Sequence, residues 1–253
     1  MIRSFRMLPL VAWLALSGCV TSDGHKSIRQ EDPKTAAAKI NIQLGTTYLQ
    51  QGNYVLAREK LERSLKQNPK DPDVHTSLGL LYDRTGDSKL ADKHFQEALR
   101  LAPDKPDLIN NYAIYLCKHD RVDEGVEKFV QIAANKFYQT PEVALTNAGV
   151  CLRGAKRLDD AEQKFAGAIR ARPNYSEATV QLASLQVEKG DLVGAKRVVD
   201  TYMNAFRPSP DVLFAAVGVA RASKDRMLEE KYSRALRLDF PDSAQALALQ
   251  RKP

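Results

Sequence analysis

Residues 78–103 read LGLLYDRTGDSKLADKHFQEALRLAP, and the same skeleton stands 34 residues earlier. Leu44, Gly45, Tyr48, Ala57 and Pro69 pair with Leu78, Gly79, Tyr82, Ala91 and Pro103. A fixed period of this length is the signature of a stacked array, so it governs how the rest of the chain is read. Each copy holds two apolar-periodic segments joined by a polar turn, QQGN at 50–53 and RTGD at 84–87, which predicts a pair of helices. Gly45 and Gly79, with Ala57 and Ala91 opposite, are small where two helix axes must approach. Tyr48, Tyr82, Leu61 and Phe95 then fill the space between successive pairs, and Pro69 and Pro103 stop the second helix.

With Phe95 and Ala98 added, the second copy resembles the tetratricopeptide pattern L-G-x-x-Y…A-x-x-x-F-x-x-A…P at every marker. The later copies drift but keep the period. Unit three has Tyr112-Ala113, Gly125 and Phe129 and runs about two residues long; unit four has Ala148-Gly149, Ala161, Phe165, Ala168 and Pro173. Unit five offers Leu182-Ala183, the turn EKGD at 188–191 and Ala195, and unit six offers Ala216, Lys224-Asp225, Tyr232, Ala235 and Pro241. The resemblance implies an all-α fold: a right-handed superhelix of six helix pairs over residues 36–253, with units at 38–71, 72–105, 106–141, 142–175, 176–209 and 210–242. An array of this kind needs a polar-faced end piece, and residues 243–250, SAQALALQ, supply a short capping helix.

The chain opens differently. Arg3 and Arg6, an apolar stretch at 7–16, and small Ser17 and Gly18 before Cys19 read as a signal peptide over residues 1–18. The order LSGC resembles the bacterial lipobox, which implies that Cys19 is acylated and becomes the first residue; plain secretory cleavage is the other reading. Several acyl chains anchor where one is marginal, at about 0.8 kcal/mol per buried CH₂. Val20 rather than Asp follows the cysteine, and resemblance to the enterobacterial sorting pattern then implies the outer membrane, facing the periplasm. Residues 19–35 are polar and unperiodic, as expected of a flexible tether. No later apolar run reaches the length of a membrane span.

Composition narrows the function. With 43% hydrophobic and 27% charged residues the chain is an ordinary globular one. Loss of residues 1–18 takes two of its 38 basic residues and leaves +5, a mild excess without a dense basic block, so nucleic acid is not expected as a partner. There is no phosphate loop, GxGxxG, HExxH or GxSxG. His25, His75, His94 and His119 lack metal-ligand spacing, and Asp159-Asp160 and Glu229-Glu230 suit helix N-termini. The expectation is a protein with no catalytic residue, metal, cofactor or small-molecule substrate.

Cys117 and Cys151 lie 34 apart near the ends of adjacent first helices. A periplasmic disulfide between the neighbouring units is chemically allowed and is the favoured reading, although the extra length of unit three offsets the two by about two positions; two buried small residues are the alternative. The stretches NNYAIYLC (110–117), NAGVC (147–151) and AEQKF (161–165) resemble the type IV pilus biogenesis lipoproteins called pilotins, with Ala113 where that family usually has Gly. This resemblance implies a noncatalytic outer-membrane partner of the pilus secretin, which promotes secretin localisation and multimerisation and is needed for pilus biogenesis and twitching motility. A tetratricopeptide adaptor lipoprotein for other envelope or cell-wall machinery is the alternative.

In such arrays the first helices line the concave face, and curved grooves take peptides. The inward positions are Lys39, Ile42, Thr46 and Leu49 in unit one and Asp73, Thr76, Leu80 and Asp83 in unit two. Ile42, Leu49 and Leu80 would form an apolar strip there, or else pack between units. Asn110, Asn111 and Asn147 are the second set, able to hydrogen-bond a peptide backbone or to bridge neighbouring helices.

Overall fold

The computed structural model describes residues 32–250, and among these there are thirteen helices and no strand. Six antiparallel pairs follow one another: α1 (Pro33–Gln50) with α2 (Tyr54–Gln67), α3 (Pro72–Thr85) with α4 (Ser88–Leu101), and α5 (Pro106–Lys118) with α6 (Val122–Ala134). Then come α7 (Pro141–Gly154) with α8 (Leu158–Ala171), α9 (Ser176–Glu188) with α10 (Leu192–Ala205), and α11 (Pro210–Ala222) with α12 (Arg226–Asp239). A short α13 (Ala244–Gln250) packs on α11 and α12 and closes the end, burying Ala246 with Leu213 and Leu236.

Local chemistry sets the helix ends. Five first helices carry proline in the first turn, where its missing N–H is no loss. Several second helices are capped by a side chain: the N–H of Leu56 donates to Asn53, that of Leu90 to Asp87, and that of Leu228 to Asp225, all at 3.0–3.2 Å. The same rule corrects the tether boundary. Pro33, Lys34 and Thr35, assigned by sequence to the tether, form the first turn of α1, with Pro33 at N1. The expected signal peptide and acylated Cys19 lie outside the described residues.

Glycine and alanine allow the pairs to close. A Cβ added at Gly45 would fall 2.6 Å from Leu61, and one at Gly149 would fall 2.5 Å from Phe165. The extra length of unit three resides in the link 135–140, six residues where the other links between pairs have four.

The backbone of each first helix closely approaches that of the first helix of the next pair, whereas successive second helices stand farther apart and meet only through long side chains, as where the Tyr232 hydroxyl of α12 donates to Asp200 of α10 at 3.3 Å. The second helices are therefore fanned apart on the outside of a curve, and the first helices line its concave side. The result is the superhelix expected from the repeat pattern.

Candidate partner-binding site

Inside the array every first helix is covered by the second helix of the preceding pair: Ala57 and Leu61 of α2 pack on Val74 and Leu78 of α3, and Ala161 and Phe165 of α8 on Leu182 and Leu185 of α9. Among the described residues, helix α1 has no pair before it. Its Ile40 and Leu44 are 57% and 41% exposed. Their counterparts by repeat position, Val74, Leu108, Ala144, Ala178 and Val212 for the first and Leu78, Tyr112, Ala148, Leu182 and Ala216 for the second, are at most 5% exposed. The first pair thus presents an uncovered copy of the array's own helix-docking surface. Flanking it, α1 carries Lys34 and Lys39 and no carboxylate.

The residues chosen from sequence fall close to this surface without making it. Ile42 and Leu49 are half-buried against the Leu61–Leu78 cluster, and Leu80 is half-buried against Phe95 and Tyr112. Thr76 is buried, its hydroxyl donating to the Pro72 carbonyl at 3.0 Å, which takes it out of the groove. The Thr46 hydroxyl donates to the Ile42 carbonyl at 2.6 Å. Asp83 accepts from Lys118 at 2.9 Å and contacts His119 Nε2 at 2.8 Å, tying α3 to α5. Burial works to raise the Asp83 carboxyl, but these bonds outweigh it and hold it below the usual carboxylate range.

Farther along the concave side the row of Leu80 becomes open and apolar: Ile114 and Val150 are exposed on α5 and α7. With Asn147, Lys118 and both cysteines they line a cleft of about 500 Å³. Asn147 Nδ2 donates to Asn110 Oδ1 at 3.0 Å, so this pair bridges α5 and α7; Asn111 is half-buried on α5. Beside the bridge Cys117 and Cys151 are joined by a disulfide, with Cα atoms 5.6 Å apart. The two-position offset expected to oppose it amounts to only about 3 Å of helix rise, and the Cα separation of 5.6 Å lies within the reach of a bridge.

His75 Nδ1 lies 3.1 Å from His94 Nδ1, and the His94 ring stacks on Tyr82. Burial, reinforced by the neighbouring His75, lowers His94 to about 4. No three His, Cys, Asp or Glu side chains among the described residues gather as metal ligands. Ile40 and Leu44 escaped the sequence reading because they are apolar like their counterparts, Leu44 being identical to Leu78 and Leu182; only their place at the head of the described array distinguishes them.

Models of the tetratricopeptide repeat match residues 42–106 and 152–215, together half of the chain. The chain is a tetratricopeptide-repeat protein. Tetratricopeptide arrays are scaffolds for protein–protein interaction, and both surfaces above suit that use. Beyond the repeat, the chain is 24% identical over 230 residues to the type IV pilus assembly protein PilF of Pseudomonas aeruginosa, covering 91% of each. A solved structure of Pseudomonas aeruginosa PilF, 23% identical, matches with a TM-score of 0.63 over 87% of this chain and 99% of that one. The structure of PilW, described as a widely conserved type IV pilus biogenesis factor, is 25% identical with a TM-score of 0.63, over 85% of this chain and 98% of that one. The likeness therefore extends through all six tetratricopeptide pairs and is not confined to one repeat.

Proposed function

We propose that this protein is a lipid-anchored assembly factor of the type IV pilus, a pilotin that binds secretin subunits at the periplasmic face of the outer membrane and promotes their multimerisation. The observation that carries this reading is the end-to-end likeness to PilF, together with the paired stretches NNYAIYLC and NAGVC. It acts by recognition and uses no chemistry of its own. Acylated Cys19 holds it at the membrane, and residues 20–31 lie between the anchor and the superhelix.

The open end of the array suggests how a partner is held. In the interior the matching surface takes an amphipathic helix with a small residue followed by a large one four positions later, as in Ala57 and Leu61. The chain's own residues 20–31 offer only Val20 and Ile28 as sizeable apolar groups, too few for that stripe. A secretin helix with acidic flanks, facing Lys34 and Lys39, would complete it.

Cell fractionation tests the anchoring: in Cys19→Ala cells the protein leaves the outer membrane and heat-resistant secretin multimers move or diminish. If both stay in place, the anchoring half is wrong. For the binding half, Ile40→Glu with Leu44→Glu removes secretin multimers while circular dichroism stays unchanged. The companion Ile42→Glu with Leu80→Glu has a lesser effect on binding, but it lowers stability because both side chains are half-buried.

A further inference from the structure

Because first and second helices alternate in direction, every link from a second helix to the next first helix lies on one edge of the superhelix. At units three to six that edge combines apolar and cationic groups. In the long link 135–140 the Phe137 N–H donates to Asn135 Oδ1 at 2.9 Å and Gln139 donates to the Phe137 carbonyl at 3.2 Å, a turn that leaves the Phe137 ring 89% exposed. In the next two links, Pro173 and Phe206 border a cleft of about 420 Å³ between α8 and α10, floored by Ile169, Leu182, Val198 and Tyr202. Arg170 and Arg197 stand at its rim. These two, with Lys136 and Arg207 in the neighbouring links, are exposed and have no hydrogen bond or ion pair with another described residue.

We propose that this edge docks on an anionic phospholipid surface, with one acyl chain seated in the cleft between α8 and α10. A cleft of this size with apolar walls and a few charges at the mouth has the form of a ligand site. A hydrocarbon chain suits it better than a peptide. The polar groups in the walls are already used, the Thr179 hydroxyl on the Tyr175 carbonyl and the Tyr202 hydroxyl on that of Asn174, so a peptide backbone would find no partners there. Charge complementarity favours an acidic headgroup over a neutral one. The nearby carboxylates cancel it only in part: Glu142 is neutralised by Arg172, and Glu177 and Asp211, which accept only from the neutral amides of Gln181 and Gln245, stand against the four cations Lys136, Arg170, Arg197 and Arg207. Exposed Phe137 would enter the interface beside Lys136, as amphipathic anchors do. This inference is independent of the pilus reading.

All described helices lie between Pro33 and Gln250, so a chain starting at Val20 keeps the superhelix and carries no acyl group. Its co-sedimentation with phosphatidylglycerol–phosphatidylethanolamine vesicles tests the idea, with pure phosphatidylcholine as control. The wild-type chain binds the anionic vesicles and not the neutral ones. Phe137→Ser with Arg170→Gln and Arg197→Gln lowers the partition about tenfold or more, given the usual strength of each basic contact. Phe137→Ser alone, which removes an exposed ring and leaves the core intact, moves it in the same direction. Absence of wild-type binding, or a triple variant that sediments like wild type, overturns the proposal. A triple variant that keeps vesicle binding yet no longer captures a secretin segment overturns it too, and makes the edge a protein interface.

Discussion

Gly125 occupies a position where four of the other second helices carry alanine: Ala57, Ala91, Ala161 and Ala195. A Cβ here would lie 2.5 Å from Cys117 Sγ and 2.9 Å from the Ala113 carbonyl. The sulfur is held by its bridge and the carbonyl by helix α5, so neither can yield. Gly125→Ala should therefore cost about 1–3 kcal/mol, the usual range for overpacking, read as a fall in the denaturant midpoint. The penalty should shrink when Cys117 and Cys151 are both alanine; equal penalties in the two backgrounds would show that the sulfur is not what fills the space. The repeat markers, including Gly125, were legible from spacing alone, but the reason for glycine was not, since it depends on which rotamer the bridged cysteine takes. His94 gives a second test at this scale. Its folded value of about 4 lies below the ordinary 6.5, so between those limits the unfolded chain binds more protons. Its contribution to stability is intact above pH 6.5 and is lost as pH falls from 6.5 to 4. Among the groups facing it, His75 and Lys93 lower it further and Glu97 raises it. In His94→Gln the melting temperature should fall less steeply across that window, and an unchanged slope would discount the pair as an acid-sensitive contact.

At the scale of the element, the six turns within pairs share one backbone solution. Each contains a residue with positive φ: Gly52, Gly86 and Gly190 in units one, two and five, and Asp120, Lys156 and Lys224 in the others. Glycine adopts this conformation freely, whereas an L side chain there is strained. Lys224 has φ 56° and its side chain makes no hydrogen bond or ion pair with a described residue, so Lys224→Gly relieves strain without removing a contact. The expected gain is up to about 1 kcal/mol, partly offset by the greater entropy of the unfolded chain. Thermal unfolding measures it; a loss of stability would mean that the lysine has a role in the fold. The turns QQGN, RTGD and EKGD were readable because glycine announces the conformation. Helix starts were less so, and Pro33 was assigned to the tether because a polar run obscures the N1 preference of proline.

For the whole molecule, the decisive feature is that each pair leans on its two neighbours, so the two ends differ from the middle. The C-terminal end is covered by α13, while the N-terminal end leaves Ile40 and Leu44 in solvent. Sequence could establish six pairs and their order, and it placed an apolar strip at Ile42, Leu49 and Leu80 from their inward positions on the first helices; the exposure of Ile40 and Leu44 was not legible, because a repeat alignment does not say which copy lacks a covering neighbour. Quasi-one-dimensional coupling predicts how damage spreads. Ending the chain at residue 242 removes α13 and uncovers Leu213 and Leu236, so unit six should lose protection against hydrogen exchange first, with unit five affected less. Units three and four, clamped by the Cys117–Cys151 bridge, should keep their wild-type protection. Hydrogen exchange read by mass spectrometry resolves these segments separately. A uniform loss across all six pairs would show that the array unfolds as one cooperative body and that its open N-terminal end is not energetically isolated from its capped one.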